Sequence, residues 1–117
     1  MNITGQPIYA KGQKPGRSAP IRNAARGATC TIAIPGVCRC DPAYTVGCHL
    51  RLFGLAGAAQ KPDDLFIVDG CDLCHAVLDS RDKWADAALG WDDVFRALLL
   101  SQSRRRASGL IILKGEQ

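Results

Sequence analysis

The sequence is short of aromatic residues and has no long apolar run. Only seven of its 117 residues are aromatic, so a single domain of this length can build no more than a modest hydrophobic core. No segment approaches the roughly 20 apolar residues that cross a membrane. The N-terminal stretch MNITGQPIYAKGQKPGRS lacks the apolar run of a signal peptide. We therefore expect a cytoplasmic protein with no membrane partner.

Acidic residues are scarce outside the middle of the chain. Residues 1–60 carry seven basic residues and one acidic, residues 61–95 carry three basic and nine acidic, and residues 96–117 carry five basic and one acidic. Basic flanks around an acidic centre suit a protein that binds a polyanion with its ends and a cation in its middle. A solvated surface with unevenly distributed charge explains the same pattern.

The chain contains six cysteines, and two of them form a CxxC pair. In a reducing compartment, clustered cysteines hold metal more often than they pair as disulfides. Structural zinc takes four ligands, which commonly arrive as two pairs. Cys71 and Cys74 make one such pair at the start of a helix, where the helix dipole favours thiolate.

The second pair is best taken as Cys30 and Cys38, because the Pro35-Gly36 turn between them predicts a tight hairpin that brings its two arms together. Cys40 competes with Cys38 for the fourth position. We expect Cys40 and Cys48 to behave as buried small hydrophobic residues.

The apolar pattern predicts a single small α+β domain over residues 21–117, preceded by a flexible basic arm over residues 1–20. The predicted elements are, in order, a helical turn at 21–27, a hairpin around 30–38, a strand at 44–50 that leads into a glycine-bearing loop, a strand at 65–68 ended by Gly70, a helix at 72–89, a helix at 92–106 that starts at an Asp92 cap and buries Val94, Phe95, Leu98 and Leu99, and a closing strand at 109–114. A cysteine hairpin, a strand and a knuckle that opens a helix together describe a treble-clef zinc scaffold, which by itself implies no chemistry.

The chain has only two histidines, and each lies in a setting that suggests metal chemistry. His75 and Asp79 are four residues apart and share one helix face, which makes them a two-ligand platform for a divalent ion. His49 ends the predicted strand at 44–50. If that strand packs against the helix, His49 faces the ion and can take a proton from water in phosphodiester hydrolysis. A surface His–Asp pair and a satisfied core histidine are the alternatives.

Several basic residues are candidates for holding a nucleic-acid backbone. Arg51 and Lys61 flank the proposed site, and the run at 104–106 extends the basic surface, unless that run is simply solvated charge at a helix end. The predicted turn at 21–27 places Arg22 and Arg26 on one face. The full set of predicted nucleic-acid contacts is Arg26, Arg51, Lys61, Arg104, Arg105 and Arg106.

A strand histidine, a turn and then CxxCHxxxD resemble the HNH, or ββα-metal, endonuclease superfamily, and residues 21–81 look closest to a group of small nucleases encoded by lambdoid-type prophages. The resemblance implies that His49 is the general base, and Arg51 beside it is a further candidate catalytic residue that could hold the phosphate. It also implies that His75 and Asp79 hold a catalytic ion such as Mg²⁺, Mn²⁺, Ni²⁺ or Zn²⁺. By the same resemblance the structural zinc is held by Cys30, Cys38, Cys71 and Cys74.

The sequence also departs from the pattern of that superfamily. Cys48 stands where a metal-binding aspartate or histidine often precedes the base, and the middle asparagine is missing. Asp64, in the KPDDL turn, is the nearest candidate for the orienting role of that asparagine. We therefore expect a metal-dependent DNA endonuclease that acts in phage DNA processing or recombination in the host cytoplasm. A non-catalytic zinc-stapled binding module is the alternative, and a thiol redox protein using Cys71 and Cys74 is a third interpretation.

Overall fold

The structure, a computed structural model, describes residues 11–51 and 62–116, and within them it is a small α+β fold with one two-stranded sheet. No helix in these two ranges is long and apolar enough to span a membrane. The elements are, in order, α1 (Ala19–Asn23), β1 (Thr45–His49), β2 (Ile67–Cys71), α2 (Asp72–Leu78), α3 (Trp84–Ala87) and α4 (Trp91–Ala107), with short 3-10 turns at Pro42–Tyr44, Asp64–Phe66 and Arg81–Lys83.

The two strands pair antiparallel, and the register assigns their side chains to two faces. Thr45 lies opposite Cys71 and His49 opposite Ile67. Because successive strand residues point to opposite sides of a sheet, Cys48 and its neighbour Val68 share one face. His49 lies on the other face, together with Thr45 and Gly47.

The Cys48 face carries the hydrophobic core and α2. Cys48 and Val68 are fully buried there, in one cluster with Cys74 and Leu78 from α2. Gly70 lies inside β2 rather than after it, so the prediction that Gly70 ends the strand is wrong. A Cβ at this position would lie 2.7 Å from Cδ1 of Ile32 and 3.0 Å from Sγ of Cys48, so the close packing of the core requires a glycine.

The opposite face is covered by α1, and α4 runs along the outer edge of β2, from the core to this face. A Cβ on Gly47 would lie 3.1 Å from the carbonyl oxygen of Arg22, which shows how closely α1 approaches the sheet. From α4, the Ser101 hydroxyl accepts a hydrogen bond from the backbone N–H of Asp69 at 3.0 Å. The buried carboxylate of Asp69 pairs with Arg105 at 2.7 Å. This face is therefore polar at its centre, whereas the other is apolar.

The region between Cys30 and Cys38 is a looped turn and not the predicted hairpin. The carbonyl oxygen of Ile34 accepts hydrogen bonds from the N–H groups of both Val37 and Cys38, at 3.0 and 2.9 Å. Gly36 has a φ of 80° and Ala33 a φ of 48°, which no regular strand tolerates. Two left-handed residues coil the chain, so this segment forms no ladder, although the predicted Pro35-Gly36 turn is present.

The predicted helix at 72–89 is broken after Leu78. The backbone at Ser80 is extended, with a φ of −126°, and the chain resumes as a 3-10 turn and then α3. The indole N–H of Trp84 donates to the carbonyl oxygen of Leu78 at 3.2 Å. This bond satisfies one of the carbonyl oxygens that a helix end leaves without a partner. The Trp84 side chain therefore stabilises the break.

The last helix is close to its predicted bounds but starts one residue earlier and buries a different stripe. Its cap is Gly90, not Asp92. Val94 is buried as predicted, but Phe95 is 63% exposed and Leu99 is also exposed, because the helix packs through the stripe that contains Ser101 and Arg105. The predicted strand at 109–114 is wrong: residues 109–114 form turns and bends. The outer edge of β2 is already occupied at Asp69, whose N–H bonds Ser101 and whose carbonyl accepts from the Thr31 N–H.

The predicted basic arm at 1–20 is described only from residue 11 onward, and its boundary with a domain at 21–117 stays a prediction. Residues 16–18 run beside residues 62–64 with several hydrogen bonds. The Gly16 N–H donates to the Asp63 carboxylate at 2.7 Å, the Asp64 N–H donates to the Gly16 carbonyl at 3.0 Å, and the Arg17 guanidinium donates to the Pro62 carbonyl at 2.7 Å. This part of the arm is therefore attached to the fold.

Candidate metal centre and candidate active site

Four cysteine sulfurs meet at one end of the sheet. The Sγ atoms of Cys30, Cys38, Cys71 and Cys74 all lie within 4.8 Å of one another, and those of Cys38 and Cys71 are 4.0 Å apart. A zinc ion with bonds of about 2.3 Å to four tetrahedral sulfurs separates those sulfurs by about 3.8 Å. The spacing therefore fits a metal ion such as zinc. Within residues 11–51 and 62–116 no other group of three or more potential ligands comes together in this way.

Backbone amides surround this cluster and favour thiolate. Each sulfur accepts at least one N–H, which lowers the cost of negative charge at a partly buried site. The donors, at 3.3 to 3.5 Å, are the amides of Ala33 and Cys71 to Cys30, of Cys40 to Cys38, of Arg39 and Cys74 to Cys71, and of Ile34 to Cys74. The loop between Cys30 and Cys38 and the first turn of α2 position these backbone amides.

The thiol pKa values show why a cation suits the cluster. Burial opposes ionisation of Cys71, but amide hydrogen bonds from Arg39 and Cys74 outweigh it and lower its pKa to about 7. Burial raises the pKa of Cys30 and of Cys74. A bound cation would supply the positive charge that the remaining thiolates need.

The other two cysteines lie outside the cluster. Cys48 is fully buried, and burial raises the pKa of its thiol to about 12. Cys40 is exposed and has a φ of 55°. The expectation that Cys40 is buried is wrong, because the left-handed residue turns the chain away after its N–H has bonded Cys38.

His49 forms a tight pair with Asp64. Its Nε2 lies 2.8 Å from Oδ1 of Asp64, and the two side chains are 12% and 2% exposed. The carboxylate also accepts from the Ser18 N–H at 2.6 Å and from the Arg22 guanidinium at 2.7 Å. Burial opposes ionisation of Asp64, but the hydrogen bonds from His49, Ser18 and Arg22 outweigh it and hold its pKa below the ordinary value. Asp64 is thus a buried, ionised carboxylate that accepts hydrogen bonds from three residues near the end of β1.

His75 and Asp79 form a second pair on α2. Nε2 of His75 lies 3.0 Å from Oδ2 of Asp79, and each side chain is about one third exposed. Two ligands on adjacent positions of an octahedral ion with bonds of about 2.1 Å are separated by about 3 Å. The spacing of this pair therefore fits two ligands of one divalent ion.

The structure does not bring the two histidine pairs together. α2 packs on the Cys48 face of the sheet, where Leu78 joins the core, whereas His49 lies on the face covered by α1. The hypothesis from the sequence required His49 to face His75 and Asp79. The contacts of the described residues do not show this arrangement. Strand alternation places Cys48, not His49, toward α2.

The predicted nucleic-acid contacts fall into two groups. Arg26 and Arg51 are exposed, and Lys61 lies outside the described residues. The arginines at 104–106 make contacts within the protein. Arg104 donates to Asp69 and to the Thr29 carbonyl, and Arg106 pairs with Glu116. Arg105 is 2% exposed, so the prediction of a surface contact there is wrong.

Sequence reasoning missed the donors that hold Asp64. Ser18 and Arg22 are 46 and 42 residues away in the chain, and no local pattern links them to the carboxylate. The available signal was a pair of aspartates in the KPDDL turn of a chain whose first sixty residues are almost free of acid.

Comparison with known proteins agrees with a phage-type nuclease. The family model described as "Putative nuclease YbcO" matches residues 19–108. Proteins named putative nuclease YbcO from Escherichia coli (strain K12) and from Enterobacteria phage 82 are each 45% identical over 69 residues, which cover 59% of this chain and 72% of the relative. The solved structure of a putative bacteriophage protein from Escherichia coli str. K-12 substr. MG1655 is similar, with a TM-score of 0.61 and 31% identity over 77% of this chain and all of that one.

Proposed function

This chain belongs to the YbcO nuclease family, and on that premise we propose that it is an HNH-type endonuclease that cleaves DNA phosphodiester bonds with the help of a divalent cation. The observation that carries the proposal is the hydrogen bond between His49 and the buried carboxylate of Asp64. A buried, ionised carboxylate beside an imidazole is the arrangement that orients a general base.

Asp64 determines which nitrogen of His49 is available. An ionised carboxylate can only accept hydrogen bonds, so the proton of a neutral imidazole lies on Nε2 and the lone pair is left on Nδ1. We assign Nδ1 as the atom that takes a proton from the attacking water. Asp64 then stabilises the imidazolium that forms. Arg51 follows the strand and is exposed, where it can contact the same phosphate.

Two metals complete the proposal. Cys30, Cys38, Cys71 and Cys74 would hold a structural zinc, and His75 with Asp79 would hold the second ion. When bound, the second ion would stabilise charge on the phosphate and on the leaving 3′-oxygen, which leaves 5′-phosphate and 3′-hydroxyl ends. Because the two histidine pairs lie on different faces of the sheet, this role requires the phosphate to reach past the end of the sheet from the α1 side to α2. One relative comes from a phage, which supports a role in phage DNA processing or recombination within the host cytoplasm.

The test is a plasmid-nicking assay with Mg²⁺, Mn²⁺, Ni²⁺ or Zn²⁺. We expect His49→Ala to lower the rate by about 10²–10⁴-fold, the range for loss of a general base, and Asp79→Asn to lower it and raise the cation concentration required. Asp82→Asn, an exposed aspartate on the neighbouring turn, is the matched control and should nick at the wild-type rate. Nicking retained by both His49→Ala and Asp79→Asn would exclude this site.

A second candidate function is a zinc-stapled nucleic-acid or protein binding module without catalysis. The specific observation in its favour is that the cysteine cluster is complete while the two histidine pairs lie on different faces of the sheet. It predicts DNA binding without nicking in any of the four cations. It also predicts that His75→Ala leaves the number of bound divalent ions unchanged, whereas the nuclease proposal predicts the loss of one.

A further inference from the structure

The fold separates the charges of the chain onto different sides. Residues 11–26, which contain α1 and the segment before it, carry five basic residues and no acidic one. Residues 72–93, which contain α2 and α3, carry six acidic residues and two basic ones. Because α1 and α2 pack on opposite faces of the sheet, a polyanion is attracted to the α1 side and repelled from the α2 side.

Arg22 is the basic residue nearest to the His49 pair. Asp64 holds His49 on Oδ1 and the Nη1 of Arg22 on Oδ2, at 2.8 and 2.7 Å, so one carboxylate fixes both side chains. A guanidinium carries several N–H donors, and within residues 11–51 and 62–116 Arg22 has no other partner. Its side chain is 41% exposed, so the remaining donors are available to solvent or to a ligand.

This geometry suits a phosphate. A guanidinium that is oriented by a carboxylate on one side presents its other donors as a preformed fork, and planar forks match phosphate oxygens. Arg26, in the turn that follows α1, is also exposed. Asp63 and Asp64 contact this segment and offset two of its five positive charges, which leaves the α1 side basic on balance.

We propose that Arg22 binds a backbone phosphate of duplex DNA beside the bond that His49 attacks, so that the DNA lies along the α1 side of the sheet. The proposal rests on the nuclease function proposed above and adds the face and the residue that receive the substrate. Of the three arginines at 104–106 that the sequence suggested for this role, Arg105 is buried, whereas Arg104 and Arg106 are paired but part-exposed and lie further from His49 in the contacts of the described residues.

The test measures binding without catalysis. Fluorescence anisotropy of a labelled DNA duplex, with the purified zinc-loaded protein and no added cation, gives the association constant over a series of NaCl concentrations. Each phosphate contact contributes about 0.9 to the slope of log K against log salt. We expect Arg22→Gln to reduce that slope by about 0.9, and the matched control Lys83→Gln, on the exposed turn beside α3, to leave it unchanged.

Two more variants separate binding from structure. Arg22→Lys keeps the positive charge and should keep most of the slope. Asp64→Asn removes the shared carboxylate but no positive charge, so it should leave the slope intact while nicking is lost. A wild-type slope in Arg22→Gln, or an equal reduction in Lys83→Gln, would overturn the proposal. A reduced slope in a protein that never nicks DNA would reject the nuclease function and leave this binding face standing.

Discussion

At the residue scale, Asp64 connects parts of the chain that are distant in sequence. It receives hydrogen bonds from Ser18, Arg22 and His49, which come from the N-terminal segment, α1 and the end of β1. The sequence analysis proposed Asp64 for orienting His49, in place of the missing asparagine, because it lies in the KPDDL turn before a strand. Its other donors could not be predicted, since only the packing of α1 on the sheet brings them close.

The depressed pKa of Asp64 predicts a specific acid sensitivity. An aspartate whose folded pKa lies below its unfolded pKa stabilises the fold above the unfolded value of about 3.9 and loses that contribution as pH falls toward the folded pKa. We expect Asp64→Asn to lower the free energy of unfolding by about 2 kcal/mol at neutral pH, the scale of lost charge-assisted hydrogen bonds. The difference from wild type should shrink as pH falls below 4.

Urea unfolding at a series of pH values measures this difference. Acid also releases thiolate-bound metal, but that loss is common to both proteins and cancels in the comparison. Asp82→Asn is the control for removal of an exposed carboxylate. A difference between wild type and Asp64→Asn that grows toward low pH would contradict the pKa direction.

At the scale of elements, the helical periodicity could be predicted from the sequence, but the buried face only in part. The last helix was predicted at 92–106 and lies at Trp91–Ala107. Val94, Phe95, Leu98 and Leu99 were predicted to be buried. Val94 is buried and Leu98 partly so, but Phe95 and Leu99 are exposed, and the buried stripe continues through Ser101 and Arg105. The reason lies in β2, where the buried carboxylate of Asp69 pairs with Arg105 and the Asp69 N–H donates to Ser101, both on α4.

The pair formed by Arg105 and Asp69 should therefore anchor α4. Arg105 also donates to the carbonyl oxygens of Ser101 and Ile21, both at 3.1 Å. Removing Arg105 leaves the buried carboxylate of Asp69 with the part-exposed Arg104 as its one remaining charged partner. We therefore expect Arg105→Ala to cost about 3 kcal/mol in unfolding free energy, the lower end of the range for a broken buried pair. Arg106→Ala, which breaks an exposed pair with Glu116, should cost less than about 1 kcal/mol.

Chemical denaturation of both variants gives the comparison directly. If Arg105→Ala does not fold, Arg105→Lys should be intermediate, since it keeps the charge but loses the contacts of the guanidinium. Equal costs for Arg105→Ala and Arg106→Ala would show that the buried pair does not anchor the helix.

At the scale of the whole molecule, the small core is completed by a site that can hold metal. Cys71 and Cys74 belong to the hydrophobic cluster as well as to the sulfur group. The CxxC spacing made their pairing readable from the sequence. The preference for Cys38 over Cys40 also came from the sequence, through the Pro35-Gly36 turn, and the positions of the sulfurs agree with it. The left-handed residues that coil the loop were not predicted.

Thiol reactivity should report this arrangement. With zinc bound, we expect one thiol, that of the exposed Cys40, to react rapidly with a disulfide reagent, and the buried Cys48 to react slowly. The four clustered thiols should react only after a chelator removes about one zinc per chain, with loss of the folded circular dichroism spectrum. Cys40→Ser should abolish the rapid phase and retain zinc, whereas Cys38→Ser should lose it. If Cys38→Ser retained zinc and Cys40→Ser lost it, Cys40 and not Cys38 would be the fourth ligand.

The occupied edge of β2 has a consequence for behaviour at high concentration. The outward N–H and carbonyl of Asp69 are taken by Ser101 and Thr31, and the N–H of Cys71 is taken by the sulfur of Cys30. An incoming strand from another molecule would find no free backbone groups at these positions, and such additions are how exposed sheets nucleate aggregates. Loss of metal would release Cys30 from this role, so the apo protein should be the form that precipitates.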